Sequence, residues 1–188
     1  MKRFAVLGST RGTSFSTMLH LMQEKNIASQ ISLVLSNKID AGILEKAKQA
    51  GIEYDFLDPK NLSREIYDET LSEFLLSKEI DYVVLIGYMR ILSQSFVAKW
   101  QHKIINVHPS LLPNFAGLMN EAVHQAVLHS GIKETGCTVH LVTEQVDEGP
   151  ILIQKKCAVF TNDTVESLKA RVQALEGIAL VEAIEKLP

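Results

Sequence analysis

The sequence predicts an α/β fold: a mostly parallel, twisted sheet flanked by helices, with an antiparallel pair in the C-terminal half. Three observations carry this. Short apolar runs alternate with helical-period segments through the first hundred residues, which implies parallel strands joined by right-handed crossovers. The run YVVLI at 82–86 is unbroken apolar sequence, as in a strand covered on both faces. Two later strand-like runs are joined by the turn-forming TEQVDEGP at 143–150, which gives the antiparallel pair.

The elements follow in order. The first strand, 3–7, ends in the glycine- and hydroxyl-rich run GSTRGTS at 8–14. A helix over 15–25 has Phe15, Met18, Leu19 and Met22 at helical spacing. Residues 31–35 form the second strand, 40–50 a helix ended by Gly51, and 52–57 the third strand. Ser63 opens a helix over 63–76 whose stripe reads Ile66, Thr70, Leu71, Phe74 and Leu75. Strands over 82–86 and 103–107 come next, then a helix around 121–128. The antiparallel pair is 136–142 with 151–160. A helix over 163–186 closes the chain, with Asp163 and Thr164 as caps and Glu166 in its first turn. No linker, repeat or low-complexity tract interrupts, so the 188 residues are expected to form one domain with halves 1–100 and 101–188.

Composition bounds the function. Hydrophobic residues at 46% and charged residues at 22% suit a globular protein, and a net charge of -3 without a Lys/Arg run leaves no stripe for nucleic acid. The N-terminal apolar run FAVL is shorter than the ~7–15 residues of a signal core. No stretch reaches the ~18 apolar residues of a membrane span, so a cytoplasmic protein without membrane contact is expected. Cys137 and Cys157 both fall in strand segments. Their count allows one disulfide, and free thiols are the expectation for a reducing compartment.

Three stretches can carry chemistry. The loop 8–14 fails the dinucleotide fingerprint, because Thr10 and Thr13 stand where glycines are needed. It also fails the P-loop pattern, since three residues separate Gly8 from Gly12 and Thr13 follows. What remains is either a strand-to-helix turn or a monophosphate site at a helix N-terminus. The second stretch, INVHPSLLP at 105–113, ends an apolar strand on Asn106 and His108. In an open α/β sheet, ligands bind beyond the carboxyl ends of the strands. There an Asn amide can donate to an oxyanion, a His can move a proton, and Pro109 and Pro113 restrict the backbone. The alternative is a polar strand end with a packed histidine. The third stretch, QVDEGP at 145–150, is a good hairpin turn, or else its Asp147 or Glu148 orients a histidine. Arg90 follows an apolar strand and reads as either a solvent-exposed strand end or a site residue. No H-x-x-H or C-x-x-C spacing suggests a metal.

Together these stretches resemble the folate-dependent glycinamide ribonucleotide formyltransferases. The resemblance rests on SNK at 36–38, SREIYD at 63–68, GYMRILS at 87–93, NVHPSLLP at 106–113 with Gly117, GCTVHLV at 136–142, VDEGP at 146–150 and RVQALE at 171–176. It implies a Rossmann-like phosphate-binding first half and a catalytic, folate-binding second half. It also implies transfer of a formyl group from 10-formyltetrahydrofolate to the amine of 5-phosphoribosylglycinamide, without metal, in purine synthesis. By the same resemblance Gly12, Thr13 and Ser14 hold the substrate phosphate and Glu176 meets the amine end. Arg64, Met89, Arg90, Ile91 and Leu92 contact the folate, with Asn106 and the loop residues Thr143, Glu144, Gln145 and Val146. Asn106 and a protonated His108 would stabilise the oxyanion, with Asp147 raising the pKa of His108 and organising a water. The implied partners are small molecules, and the protein would be a monomer or homodimer.

Departures from the family are visible. The first loop reads STRGTS where the family usually has S-G-x-G-S-N, and the short G-L-D-x-H after Gly117 is expanded to GLMNEAVH. The chain ends at Pro188, without the extension many relatives carry. Two alternatives remain: a formyltetrahydrofolate hydrolase, which would carry an added N-terminal domain, and a non-catalytic phosphoribosyl-ligand sensor.

Overall fold

The computed structural model describes all 188 residues. Its elements are β1 (Lys2–Leu7), α1 (Thr13–Glu24), β2 (Ser29–Ser36), α2 (Gly42–Gln49), β3 (Glu53–Phe56), α3 (Arg64–Ser77), β4 (Tyr82–Leu85), α4 (Gln94–Lys99), β5 (Ile104–His108), α5 (Glu121–Ser130), β6 (Glu134–Leu141), β7 (Ile151–Ala158) and α6 (Val165–Lys186). The strands hydrogen-bond in the order β3-β2-β1-β4-β5-β6-β7. Pairs from β3 through β5 are parallel, and β6 with β7 is antiparallel. The predicted α/β class with a C-terminal antiparallel pair is therefore observed.

Two compact units share the chain. The first comprises residues 1–12, 27–106 and 142–144, and the second 13–26, 107–141 and 145–188. The boundary falls inside β5, after Asn106.

In the first unit, the strands carry the core because both of their faces are covered. Ala5, Leu33 and Val83 are fully buried in one core with Leu7, Leu35, Leu71, Leu75, Phe96 and Trp100, and Val84, which points to the other face, is fully buried too. Each such side chain contributes roughly 1.5–3 kcal/mol by leaving water. The helix α3 buries Leu71 and Leu75 of the predicted stripe, with Phe74 half-buried, but its buried face turns toward Tyr67, Asp68 and Ser72 and leaves Ile66 and Thr70 exposed. Ile66 is 57% exposed, while Tyr67, Asp68, Leu71, Ser72 and Leu75 are buried. Two polar residues can lie on that face because each has a partner. The Asp68 carboxylate accepts the Ser93 N–H at 2.5 Å, and Ser72 Oγ accepts the Trp100 Nε1–H at 2.9 Å. The helix α4 is absent from the sequence expectation. Six residues are too few for a period to show, and its signal is the cap: Ser93 Oγ accepts the Phe96 N–H.

In the second unit, α6 packs on α1 and on the β6–β7 pair. It starts in a reciprocal capping box between Thr164 and Ser167. Just before it, Asp163 takes a two-pronged bond from Arg171, with both N–O distances 2.7 Å. Cys137 on β6 lies opposite Lys155 and Cys157 on β7 lies opposite Thr135, and both thiols are free. No helix is long and apolar enough to cross a membrane.

Candidate active site

The strand β5 alternates its side chains, so Asn106 and His108 project from one face. His108 is buried, at 3% exposure, and both ring nitrogens meet acceptors: Nδ1 lies 3.3 Å from Asp147 Oδ2, and Nε2 lies 3.2 Å from the Phe115 carbonyl oxygen. The same Asp147 oxygen accepts the Gly117 N–H at 2.8 Å. Thus the turn from Phe115 to Gly117 touches both members of the pair with backbone groups alone. Asp147 Oδ1 faces His140 Nε2 at 3.5 Å, and His140 Nδ1 lies 2.9 Å from Leu141 O.

Burial pulls the His108 imidazole below the ordinary histidine range, against the raising effects of Asp147 and the Phe115 carbonyl. The expected upward shift from Asp147 is therefore present but outweighed, and the ring is neutral at pH 7. Burial also raises the Asp147 carboxyl, yet the bond to His140, the Gly117 N–H and the charge of His108 together bring it below the usual carboxylate value. The result is an ionised carboxylate against a neutral imidazole that two acceptors are set to stabilise once it gains a proton.

The segment after His108 is held by more than its prolines. Thr138 Oγ1 on β6 donates to Ser110 O at 2.7 Å and accepts the Leu112 N–H at 3.0 Å. The Gln154 amide on β7 donates to Leu112 O and to Thr138 Oγ1, each at 3.0 Å. Side chains on two strands thus fix residues 110–112 by three hydrogen bonds, with a fourth tying Gln154 to Thr138, a contribution no local pattern announces.

The loop after β1 is built around Gly12, which has φ +65°, and a Cβ there would meet Ile43 at 2.6 Å. Lys46 Nζ donates to the Gly12 carbonyl at 3.0 Å. Ser9 Oγ accepts the Met89 N–H at 2.8 Å and donates to Asn37, so the SNK run supports this loop. The first N–H groups of α1, from Thr13 onward, have no partner within the helix, and their dipole favours an anion. Ser14 is buried and its hydroxyl donates to Glu176 on α6. Burial raises the Glu176 carboxyl to about 7, with Ser14 and Lys169 opposing.

Of the residues assigned by resemblance to the folate, Ile91 is 49% and Val146 42% exposed. The Arg90 guanidinium stacks on the Tyr67 ring at 4.2 Å, and its buried Nε has no protein partner. That leaves a donor suited to a polar ligand atom. Leu92 is half-buried, Arg64 is exposed beside Glu65, and Glu144 accepts from Gln94 at 3.4 Å. Thr143 and Gln145 lie on the same β6–β7 loop. No group of three or more His, Cys, Asp or Glu side chains is arranged to hold a metal ion.

The formyl transferase profile matches residues 2–184. The chain is 40% identical over 177 residues to a phosphoribosylglycinamide formyltransferase of Haemophilus influenzae, covering 94% of this chain and 82% of the relative. It is also 40% identical to the trifunctional purine biosynthetic protein adenosine-3 of Gallus gallus, covering 97% of this chain but 18% of that protein. Among solved structures, glycinamide ribonucleotide transformylase 1 from Symbiobacterium toebii superposes with a TM-score of 0.92 at 40% identity, over 98% of this chain and 86% of the other.

Proposed function

The chain belongs to the formyl transferase family, and from that premise we propose that it moves a formyl group from 10-formyltetrahydrofolate to the amine of 5-phosphoribosylglycinamide. In this reading it is a small-molecule enzyme of purine synthesis, a monomer or homodimer of the cytoplasm. Residues 1–100 serve the phosphoribosyl end and part of the folate, and 101–188 the chemistry and the rest of the folate. The observation that carries the reading is the buried His108–Asp147 pair, with Asn106 two residues earlier on the same strand face.

The roles follow from the groups. The N–H groups at Gly12, Thr13 and Ser14 receive the substrate phosphate, because a helix N-terminus offers donors and a favourable dipole. Lys46 holds the Gly12 carbonyl away from that anion. Glu176, a carboxyl titrating near neutrality, faces the amine end. The folate supplies the formyl carbon, which the amine attacks. Met89, Arg90, Ile91, Leu92 and Arg64 receive the folate, together with the loop residues Thr143, Glu144, Gln145 and Val146.

Negative charge then develops on the formyl oxygen. The Asn106 amide donates to it, and His108 Nε2 does so once it carries a proton, exchanging the Phe115 carbonyl for the new acceptor. The neutral imidazole, its Nδ1–H on Asp147, takes a proton at Nε2 from the attacking amine as the new C–N bond forms, and the ionised Asp147 stabilises the imidazolium that results. His108 then returns that proton toward the leaving folate nitrogen, with Asp147 ordering a water on the path. Proton handling of this kind contributes about 10²–10⁴-fold in rate.

The test is incubation with 10-formyltetrahydrofolate, with and without glycinamide ribonucleotide. Transfer that requires both substrates is the expected result. Release of formate from the folate alone would make the protein a hydrolase, and no turnover in either arm would make it a ligand-binding protein.

A further inference from the structure

The two oxygens of Asp147 are used differently. Oδ2 serves His108 and the Gly117 N–H, whereas Oδ1 faces His140 Nε2. The His140 side chain is 2% exposed, and its Nδ1 is tied to the Leu141 carbonyl. A carbonyl and a carboxylate are both acceptors, so every proton the ring carries points at one of them. A residue that only filled volume on β6 would be better apolar, because a buried imidazole must be satisfied. Asp147 itself sits at φ +58° on a loop, and with Oδ2 contacts alone its carboxylate could turn about its own axis.

We propose that His140 is a positioning residue of the formyl-transfer centre: from β6 it holds Asp147 by Oδ1, so that Oδ2 stays on His108. The proposal rests on the reading of His108 as the group that handles the proton. A single carboxylate then serves two imidazoles. His140 fixes its orientation and at the same time draws on its charge, which leaves His108 less strongly pulled toward the protonated form. The titratable groups that act on His108 are Asp147 from the β6–β7 loop and His140 from β6; His108, Lys169 and Glu121 act in turn on His124 from α5.

Two variants test this, each with a readout independent of turnover. His140→Gln keeps an N–H donor without an imidazole ring, and His140→Leu keeps most of the volume and removes the donor. The His140→Leu variant should lose roughly 10–100-fold in kcat with KM for both substrates within about twofold. His140→Gln should recover most of that loss. NMR titration of the His108 ring should show its midpoint in His140→Gln move upward by roughly 0.5 pH unit. Wild-type kcat in both variants with an unmoved His108 midpoint would overturn the proposal. So would an equal loss of kcat in both with an unmoved midpoint, since that marks a packing role only. If His140→Leu does not fold, the His140→Gln titration decides. If the wild-type protein transfers no formyl group, the functional reading falls, and the titration still reports whether His140 governs the His108–Asp147 pair.

Discussion

Asp147 is half-buried, with 9% of its side chain exposed, whereas Glu176 is a buried residue at 7% exposure. Burial raises both carboxyls, yet they end on opposite sides of the ordinary value. Asp147 is brought down because His140, the Gly117 N–H and His108 converge on its two oxygens. Glu176 has one hydroxyl bond, from Ser14, and the more distant charge of Lys169, so its carboxyl rises to about 7. Deeper burial and fewer donors together set Glu176 apart, because a buried carboxylate stays ionised only where hydrogen bonds and charge replace its lost water. Asp147 is therefore a fixed charge, and Glu176 is a group whose charge changes near neutral pH.

The largest expected effect breaks the fixed charge. Asp147→Asn keeps the size and tolerates the positive φ, but it removes the charge that favours a protonated His108. Turnover should fall on the order of 10²–10⁴-fold with little change in KM, measured by steady-state kinetics. The His108 midpoint should fall further, because its main raising influence is gone. Near-normal turnover in the folded variant would remove Asp147 from the chemistry.

The next effect sharpens the other member of the comparison. The folded-state Glu176 carboxyl lies above its unfolded value of 4.5, so the folded protein holds a proton that the unfolded chain releases. Its contribution is greatest below pH 4.5, declines as pH rises, and is gone above about 7. The loss across that window is about 3 kcal/mol. His124, lowered to about 4 mainly by burial, works the other way: its contribution is lost as pH falls from 6.5 toward 4. Denaturant titrations at several pH values, read as wild type minus Glu176→Gln, isolate the Glu176 slope. A flat difference across the window would mean that Glu176 is not protonated in the folded protein.

These two carboxylates also show what the sequence could and could not reveal. Strand and helix alternation was legible because each period is local, and the NVHP run marked Asn106 and His108 because polar residues end an apolar strand there. The Asp147 partnership became legible only through resemblance, since 39 positions separate it from His108. The Ser14–Glu176 bond spans 162 positions and leaves no local trace. The role of His140 was hidden by its surroundings, because a histidine in an alternating strand looks like any packed residue until Asp147 folds over it. The Phe115 carbonyl and Gly117 N–H are backbone groups, which side-chain patterns do not describe. The stripe on α3 misled for a related reason: Asp68 and Ser72 face inward because Ser93 and Trp100, distant in sequence, supply their partners.

The smallest effect tests the packing that keeps water from Glu176. Its neighbour Gly177 lies where α6 crosses α1, and a Cβ there would sit 2.6 Å from Thr17 Cβ and 3.0 Å from the Met18 backbone nitrogen. Alanine gains about 1 kcal/mol in helix propensity over glycine. Overpacking against a backbone costs about 1–3 kcal/mol, because the neighbour cannot move aside by a side-chain rotation. Gly177→Ala should therefore destabilise the protein by up to about 2 kcal/mol in denaturant melts. Separating the helices should also admit water to the Ser14–Glu176 pair and bring the Glu176 carboxyl down, flattening its pH slope. A variant that is destabilised but retains the full slope would place the protection of Glu176 in β6 and the rest of α6 rather than in the α1 contact. One that is stabilised would mean that α1 and α6 can separate at that point without cost.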